Sequence, residues 1–270
     1  MECDVCFHHC DLQEGKTGFC RARTNHNGIN TCINYGKITS AAFDPIEKKP
    51  LKHFYPGSII LSVGSFGCNL ACPFCQNHDI SMANERNAYY QEADIDSLLY
   101  LALRDKENLG IAFTYNEPLI CYEMILDMAP VLHEHGKKVV LVTNGTVNQN
   151  ILEKVIPHVD AMNIDLKGDE SFYKELGGDY QSVRNTIEYV YDKCHLEITT
   201  LIIPGKNDSD EFITEQAQWL SSLDPDIPWH ITRYFPNYKY RIPATPKETI
   251  FHLKNIAQQY MHHVYTGNVW

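Results

Sequence analysis

No stretch of this 270-residue sequence is apolar for long enough to cross a membrane as a helix. Its apolar runs, such as SIILSVG (58–64) and VVLVTNG (139–145), are strand-sized. A spanning helix needs roughly 20 residues. The start, MECDVCFHHC, is polar and cysteine-bearing, which excludes a signal peptide. Positive charge is also scarce. Lys and Arg number 23 against 34 Asp and Glu, for a net charge of -11. That excludes a broad basic surface for nucleic acid, though not a local basic pocket for an anion. Disorder over most of the chain is excluded too, because 44% of residues are hydrophobic and only 21% charged.

Cysteine, by contrast, is abundant, with ten residues. Ten cysteines without an export signal point to metal or redox chemistry in a reducing, cytoplasmic setting rather than to disulfides. Five of them, Cys3, Cys6, Cys10, Cys20 and Cys32, lie before residue 33, where apolar periodicity is weak. Residues 1–57 are therefore expected to form a small metal-binding lobe with a connector, DPIEKKPLKHFYPGS (44–58), lying on the main domain.

From residue 58 strand and helix signals alternate. SIILSV, GIAFTYN, KKVVLVTNG, DAMNIDL, HLEITTLIIPG and PWHITRYFP read as strands, with HHVYTG as a short last one. Amphipathic helices lie between them. One carries Pro118 near its first turn and Gly136 after its end. Another starts at Thr245-Pro246, with Glu248 at capping-box spacing from Thr245. Such alternation gives right-handed βαβ units and a parallel sheet. About six strands are fewer than a closed barrel's eight. The expected fold is α/β, a partial (β/α)6-type TIM-like barrel over 58–270, with functional residues at the carboxyl ends of the strands.

The first of those ends carries GCNLACPFCQN, with Cys68, Cys72 and Cys75 spaced C-x3-C-x2-C. Thiolates select zinc or iron–sulfur clusters. A structural zinc takes four protein ligands, and so does a closed [4Fe–4S] cluster. Three cysteines leave one iron open. The bland alternatives are zinc completed by His78, or buried structural cysteines. The amino-terminal set, Cys3, Cys6, Cys10 and Cys20, is spaced C-x2-C-x3-C-x9-C and can close a second zinc or iron–sulfur site, with His8 and His9 as substitutes. That site is either structural or carries electrons toward the first. Cys32, Cys121 and Cys194 read as buried apolar residues.

C-x3-C-x2-C with Phe74 before its third cysteine, placed after the first strand of a βα repeat, resembles the radical S-adenosylmethionine (SAM) superfamily. CQNHDIS is similar to its pyruvate formate-lyase activating branch. The resemblance implies a [4Fe–4S] cluster on Cys68, Cys72 and Cys75, with SAM on the open iron. It further implies reductive cleavage of SAM to a 5′-deoxyadenosyl radical that abstracts hydrogen from a substrate. In FTYNEP, Tyr115 and Asn116 stand where the family has two glycines. Glu117 keeps the acid that binds the SAM amino group. Thr143 and Asn144 of VTNG match residues on the SAM carboxylate or ribose. So do Asp165 and Lys167 of NIDLKG. LIIPGKND matches a backbone that lines adenine, His230 of WHITRYFP lies near SAM, and Phe74 packs on adenine.

The amino-terminal lobe narrows the resemblance. GFCRARTNHNG and YGKITSAAFDPIEKKPLKHFYPGS look like the radical SAM member of the AmmeMemoRadiSam system, which implies Memo-like and AMMECR-like partners. That group leads to the expectation of a further cysteine pair after GNV, and the sequence ends at Trp270 without one. An electron donor of flavodoxin or ferredoxin type is implied, with no nucleic acid or membrane as partner. Two other readings are a glycyl-radical-enzyme activase and a non-catalytic metal-binding scaffold.

Overall fold

The computed structural model describes residues 1–270. A hairpin of β1 (Arg23–His26) and β2 (Ile29–Cys32) turns at Asn27 and Gly28, both at positive φ. β3 (Lys37–Ile38), β4 (Ser40–Pro45) and β5 (Ile59–Gly64) follow, then α1 (His78–Ser81). β6 (Gln91–Glu92) pairs back onto β3. Alternation then sets in with α2 (Ile95–Leu103), β7 (Asn108–Phe113), α3 (Tyr122–Glu134) and β8 (Lys138–Thr143). It continues through α4 (Gln149–Val155), β9 (Ala161–Asp165), α5 (Glu170–Glu175), α6 (Tyr180–Val190) and β10 (His195–Ile202). α7 (Asp210–Leu223), β11 (Trp229–Arg233), α8 (Lys247–Ala257) and β12 (Val264–Gly267) complete the chain.

The main sheet runs β12-β11-β10-β9-β8-β7-β5-β4. The seven strands from β5 to β12 are parallel, and β4 is antiparallel to β5. Each crossover lands beside the strand before it, as short right-handed βαβ connections require. The sheet is open, with β12 and β4 as separate edges. The seventh parallel strand is the short HHVYTG segment. The antiparallel edge comes from residues 40–45, before the break expected at residue 57.

Alternation along the strands sorts the two faces. Leu61, Val63, Ile111, Phe113, Val139, Leu141, Met162 and Ile164 point outward into a 44-residue core beneath the helices. The intervening residues point inward. Near the amino ends these are Ile60, Ala112, Val140 and Ala161, capped by Ile46, Leu51 and Phe54 of the 44–58 connector. Further along, the inner face turns polar, with Asn163, Thr199, Glu197 and His230 all buried. Buried parallel strands are ordinarily apolar on both faces. This departure marks where the inside of the sheet serves something other than packing.

Side-chain N-caps form at α2, α5, α6 and α7, and not at α1, α3, α4 or α8. Ser209 caps α7 by accepting from the Phe212 amide at 3.1 Å. The expected capping box at α8 does not form. Pro246 is the N-cap residue without a side-chain bond, and Thr245 Oγ1 donates instead to the Ile202 carbonyl at 2.6 Å. A buried strand-end carbonyl outcompetes the helix for that hydroxyl.

Candidate active site

The loop after β5 brings Cys68, Cys72 and Cys75 to the rim of a cavity of ≈ 860 Å³ inside the sheet. All three thiols are free of disulfides. The Cys68 sulfur receives the Leu70 amide at 3.4 Å and Asn144 Nδ2 at 3.7 Å. Burial pushes Cys72 up to about 12 and, together with the nearby Glu117 carboxylate, holds Cys68 well above its ordinary value. A bound cation would reverse that and hold both as thiolates. Phe74 packs against Phe172 at 5.9 Å and borders the same cavity.

Glu117 sits between β7 and the short 3-10 turn Pro118–Cys121. It is 2% exposed and lines the cavity. Its Oε1 accepts from Thr143 Oγ1 at 2.6 Å and the Leu119 amide at 3.0 Å. Oε2 accepts from the Asn144 amide at 2.7 Å, which leaves lone-pair capacity for a ligand donor. Burial raises this carboxyl from 4.5 to about 7, against the pull of those hydrogen bonds and Lys167.

Thr143 and Asn144 therefore act on the protein itself. Thr143 gives its hydroxyl hydrogen to Glu117. Asn144 Nδ2 reaches Asn69 Oδ1 at 2.9 Å as well as the Cys68 sulfur. Asn116 Nδ2 holds the carbonyls of Phe66 and Gly67 at 3.3 and 3.1 Å. Beside it Tyr115 has a φ of 73°, a conformation that suits glycine. Its hydroxyl donates to Asp44 at 2.9 Å, and Lys49 lies 4.8 Å from the ring centre. A tyrosine tethered by its hydroxyl thus holds a backbone shape that ordinarily favours glycine.

At the end of β9, Lys167 Nζ donates to Asp165 at 2.8 Å. Burial alone would lower this lysine, but Asp165 and Cys72 raise it. Asn207 ties the ends of β9 and β10 together, with Nδ2 on the carbonyls of Lys167 at 2.7 Å and Leu201 at 2.8 Å. His230 lines the cavity further down, and its Nε2 meets Glu197 at 2.6 Å. Glu197 also meets His195 at 3.0 Å and accepts the His53 amide at 2.7 Å. Burial would raise Glu197, yet these partners hold it down at about 2.

Sequence reasoning passed over three of these positions. Asn69 lies inside the quoted cysteine loop, between the first two ligand candidates. Its Nδ2 holds Thr146 at 2.8 Å (carbonyl) and 3.0 Å (hydroxyl). Glu197 could have been found as the one acid in the strand HLEITTLI. Asp44 pairs locally with Lys48 and Lys49, but its contact with Tyr115, 71 residues away, gave no sequence signal.

The donor set fits a [4Fe–4S] cluster with SAM. Three sulfurs border a cavity that also presents a carboxylate for an ammonium group and a lysine for a carboxylate. His78 is turned to other contacts, stacking on Tyr238 at 4.3 Å and facing Asp79 at 3.2 Å. Cys32, Cys121 and Glu123 are the group whose ligand atoms lie within 4.8 Å of one another. Arg23 already neutralises Glu123 at 2.6 and 2.8 Å, which opposes a cation there.

Residues 62–217 match the family model described as the radical SAM superfamily. Across the whole chain there is 38% identity to an uncharacterised protein of Methanocaldococcus jannaschii, covering 81% of that protein. A putative glycyl-radical enzyme activating enzyme of the same organism is 25% identical over 78% of this chain and 89% of its own length. In fold, the chain is similar to a radical SAM methyltransferase from Sphaerobacter thermophilus, with a TM-score of 0.59, 18% identity, and coverage of 79% of this chain and 67% of that one.

Proposed function

This chain belongs to the radical SAM superfamily of enzymes, and from that premise we propose that Cys68, Cys72 and Cys75 hold three irons of a [4Fe–4S] cluster whose fourth iron takes SAM. The bound pair supplies one-electron cleavage of the sulfonium, giving methionine and a 5′-deoxyadenosyl radical for hydrogen abstraction. Every other task falls to residues of the chain. Glu117 accepts from the SAM ammonium, with Thr143, Asn144 and Asn116 fixing Glu117 and the cluster loop. Lys167 and Asp165 take the carboxylate and ribose. Phe74 and the backbone of 201–208 border the adenine, and His230, braced by Glu197, bounds the deeper end. Residues 58–270 form this SAM-binding body, and residues 1–57 a metal-bearing lobe with its connector.

The observation that carries the reading is the convergence of three thiols and Glu117 on one cavity. The test is anaerobic reconstitution, reduction with dithionite and addition of SAM. 5′-Deoxyadenosine is expected. An intact cluster that yields none would overturn the enzyme reading in favour of a metal-binding scaffold.

A second reading, an activase that abstracts hydrogen from a protein glycine, is favoured by the archaeal relative with that name. The lobe sequence supports instead the AmmeMemoRadiSam member, with Memo-like and AMMECR-like partners. Either reading needs a low-potential donor of flavodoxin or ferredoxin type.

A further inference from the structure

The four amino-terminal cysteines lie in the lobe that packs directly behind the cavity loop. Cys3, Cys6 and Cys20 are buried, and Cys10 is half-buried. None is in a disulfide. Their sulfurs face N–H donors on several sides. Asn30 Nδ2 reaches Cys3 at 3.4 Å and the Phe19 amide reaches Cys10 at 3.4 Å. The His8 amide and the Asn69 side chain face Cys6, and the Ala22 and Arg23 amides face Cys20. Space is left at Gly18, where a Cβ would sit 3.3 Å from the Cys10 sulfur. Apart from these thiols the lobe's buried apolar residues are few, Val5 and Leu12 beside Cys3 and Ala22 beside Cys20. So small a core needs a metal to hold it.

The spread of the sulfurs separates the candidate metals. A single zinc with Zn–S bonds of about 2.3 Å draws its four sulfurs to about 3.8 Å from one another. The group drawn within 4.8 Å is Cys32, Cys121 and Glu123, and no three of the lobe sulfurs are gathered that tightly. Cys68, Cys72 and Cys75 are wide in the same way. Wide spacing suits thiolates at the corners of a cube.

The lobe is also joined to the cavity loop through its ligands. The Cys68 amide donates to the Cys20 carbonyl at 3.1 Å. Arg21 Nη1 donates to the Cys68 carbonyl at 3.3 Å. His8 Nε2 meets the Asn69 carbonyl at 2.9 Å. Asn144 Nδ2 in turn bridges Asn69 Oδ1 at 2.9 Å and the Cys68 sulfur at 3.7 Å. The approach is built into the backbone. Gly67 has a φ of 87°, and a Cβ there would lie 2.5 Å from the Cys20 carbonyl oxygen. A structural metal needs no such contact between its ligands and those of a second site.

We propose that Cys3, Cys6, Cys10 and Cys20 hold a second, fully ligated [4Fe–4S] cluster that relays electrons to the first through the Cys20–Cys68 contact. This rests on the radical SAM reading of the cavity. A one-electron protein reductant loses one electron to the lobe cluster at its exposed edge, near Cys10 and Phe19. The lobe cluster passes that electron to the cluster on Cys68, Cys72 and Cys75 and returns to its oxidised state. No proton moves.

The test uses the full chain reconstituted without oxygen. About eight irons and eight sulfides per chain are expected, with an electron paramagnetic resonance signal of the fully reduced protein broadened by coupling between two clusters. In the Cys3→Ser/Cys10→Ser variant the iron should fall to about four and the broadening should vanish. The ratio of SAM cleavage driven by reduced flavodoxin to that driven by dithionite should fall at least about tenfold. About four irons in the wild type, with or without one zinc, overturns the proposal. So do eight irons with uncoupled signals, or an unchanged ratio in a variant that has lost four irons. If the wild type carries eight coupled irons yet makes no 5′-deoxyadenosine with dithionite, the cavity reading fails while the second cluster stands.

Discussion

Glu117 shows how one side chain is made ready for a ligand. Its carboxyl is raised from 4.5 to about 7, so the ligand-free fold retains a proton that the unfolded chain has released between those values. Stability should accordingly fall as pH rises through that window, by about 3 kcal/mol in all. Urea unfolding of the ligand-free protein at pH 5 and pH 8 measures it, and Glu117→Gln should flatten the difference. Ligand binding should run the other way. SAM affinity of the reconstituted protein, followed by calorimetry, is expected to tighten between pH 6 and pH 8 in the wild type and to be about tenfold weaker and pH-independent in Glu117→Gln. Glu197 has the opposite sign. Held at about 2, it stabilises the fold above its ordinary 4.5 and loses that contribution as pH falls toward 2. Glu117 was legible in the sequence through the resemblance of FTYNEP to the family's Glu-Pro stretch; as an isolated acid at a helix start it would not have been. Glu197 was visible as an acid in a buried strand, but its role was not, because its partners His53 and His230 lie 144 and 33 residues away.

At the scale of elements, the strand ends were legible and their neighbours less so. The period-two pattern set which residues face inward, and turn residues marked where each strand stops. The reading of 44–58 as a connector gave no hint that Leu51 and Phe54 plug the amino end of the sheet's inner face. Leu51 is fully buried there. Leu51→Ala should cost about 3 kcal/mol in urea unfolding, within the range for a leucine deleted from a core, and leave the iron content unchanged. Thr245 makes the converse case. Its spacing to Glu248 promised a capping box, and the nearby Ile202 carbonyl took the hydroxyl instead. Local spacing cannot report a competitor that arrives through tertiary packing.

For the molecule as a whole, the lobe and the sheet differ in what holds them. The sheet buries a 44-residue apolar core, whereas the lobe has a few apolar residues around four thiols. Metal removal should therefore loosen the lobe first. Limited proteolysis of chelator-treated protein is expected to cut within residues 1–36 well before any site beyond 58, with mass spectrometry of the fragments as the readout. Simultaneous cutting throughout would show that the lobe and the sheet unfold as one unit.

The sequence by itself determined the α/β class, the cysteine sets and the order of the strand-end motifs. Those follow from spacing, hydrophobic period and ligand chemistry, all of which are local. Tertiary structure alone decided that Thr143 and Asn144 turn their donors inward to Glu117 and Cys68. It also decided that Asn69 sits between the two sets of thiols and that Cys20 touches Cys68. Each is a contact between segments far apart in the chain. Only the close packing of the lobe against the sheet's carboxyl end, with Gly67 leaving room for it, brings them within hydrogen-bonding distance.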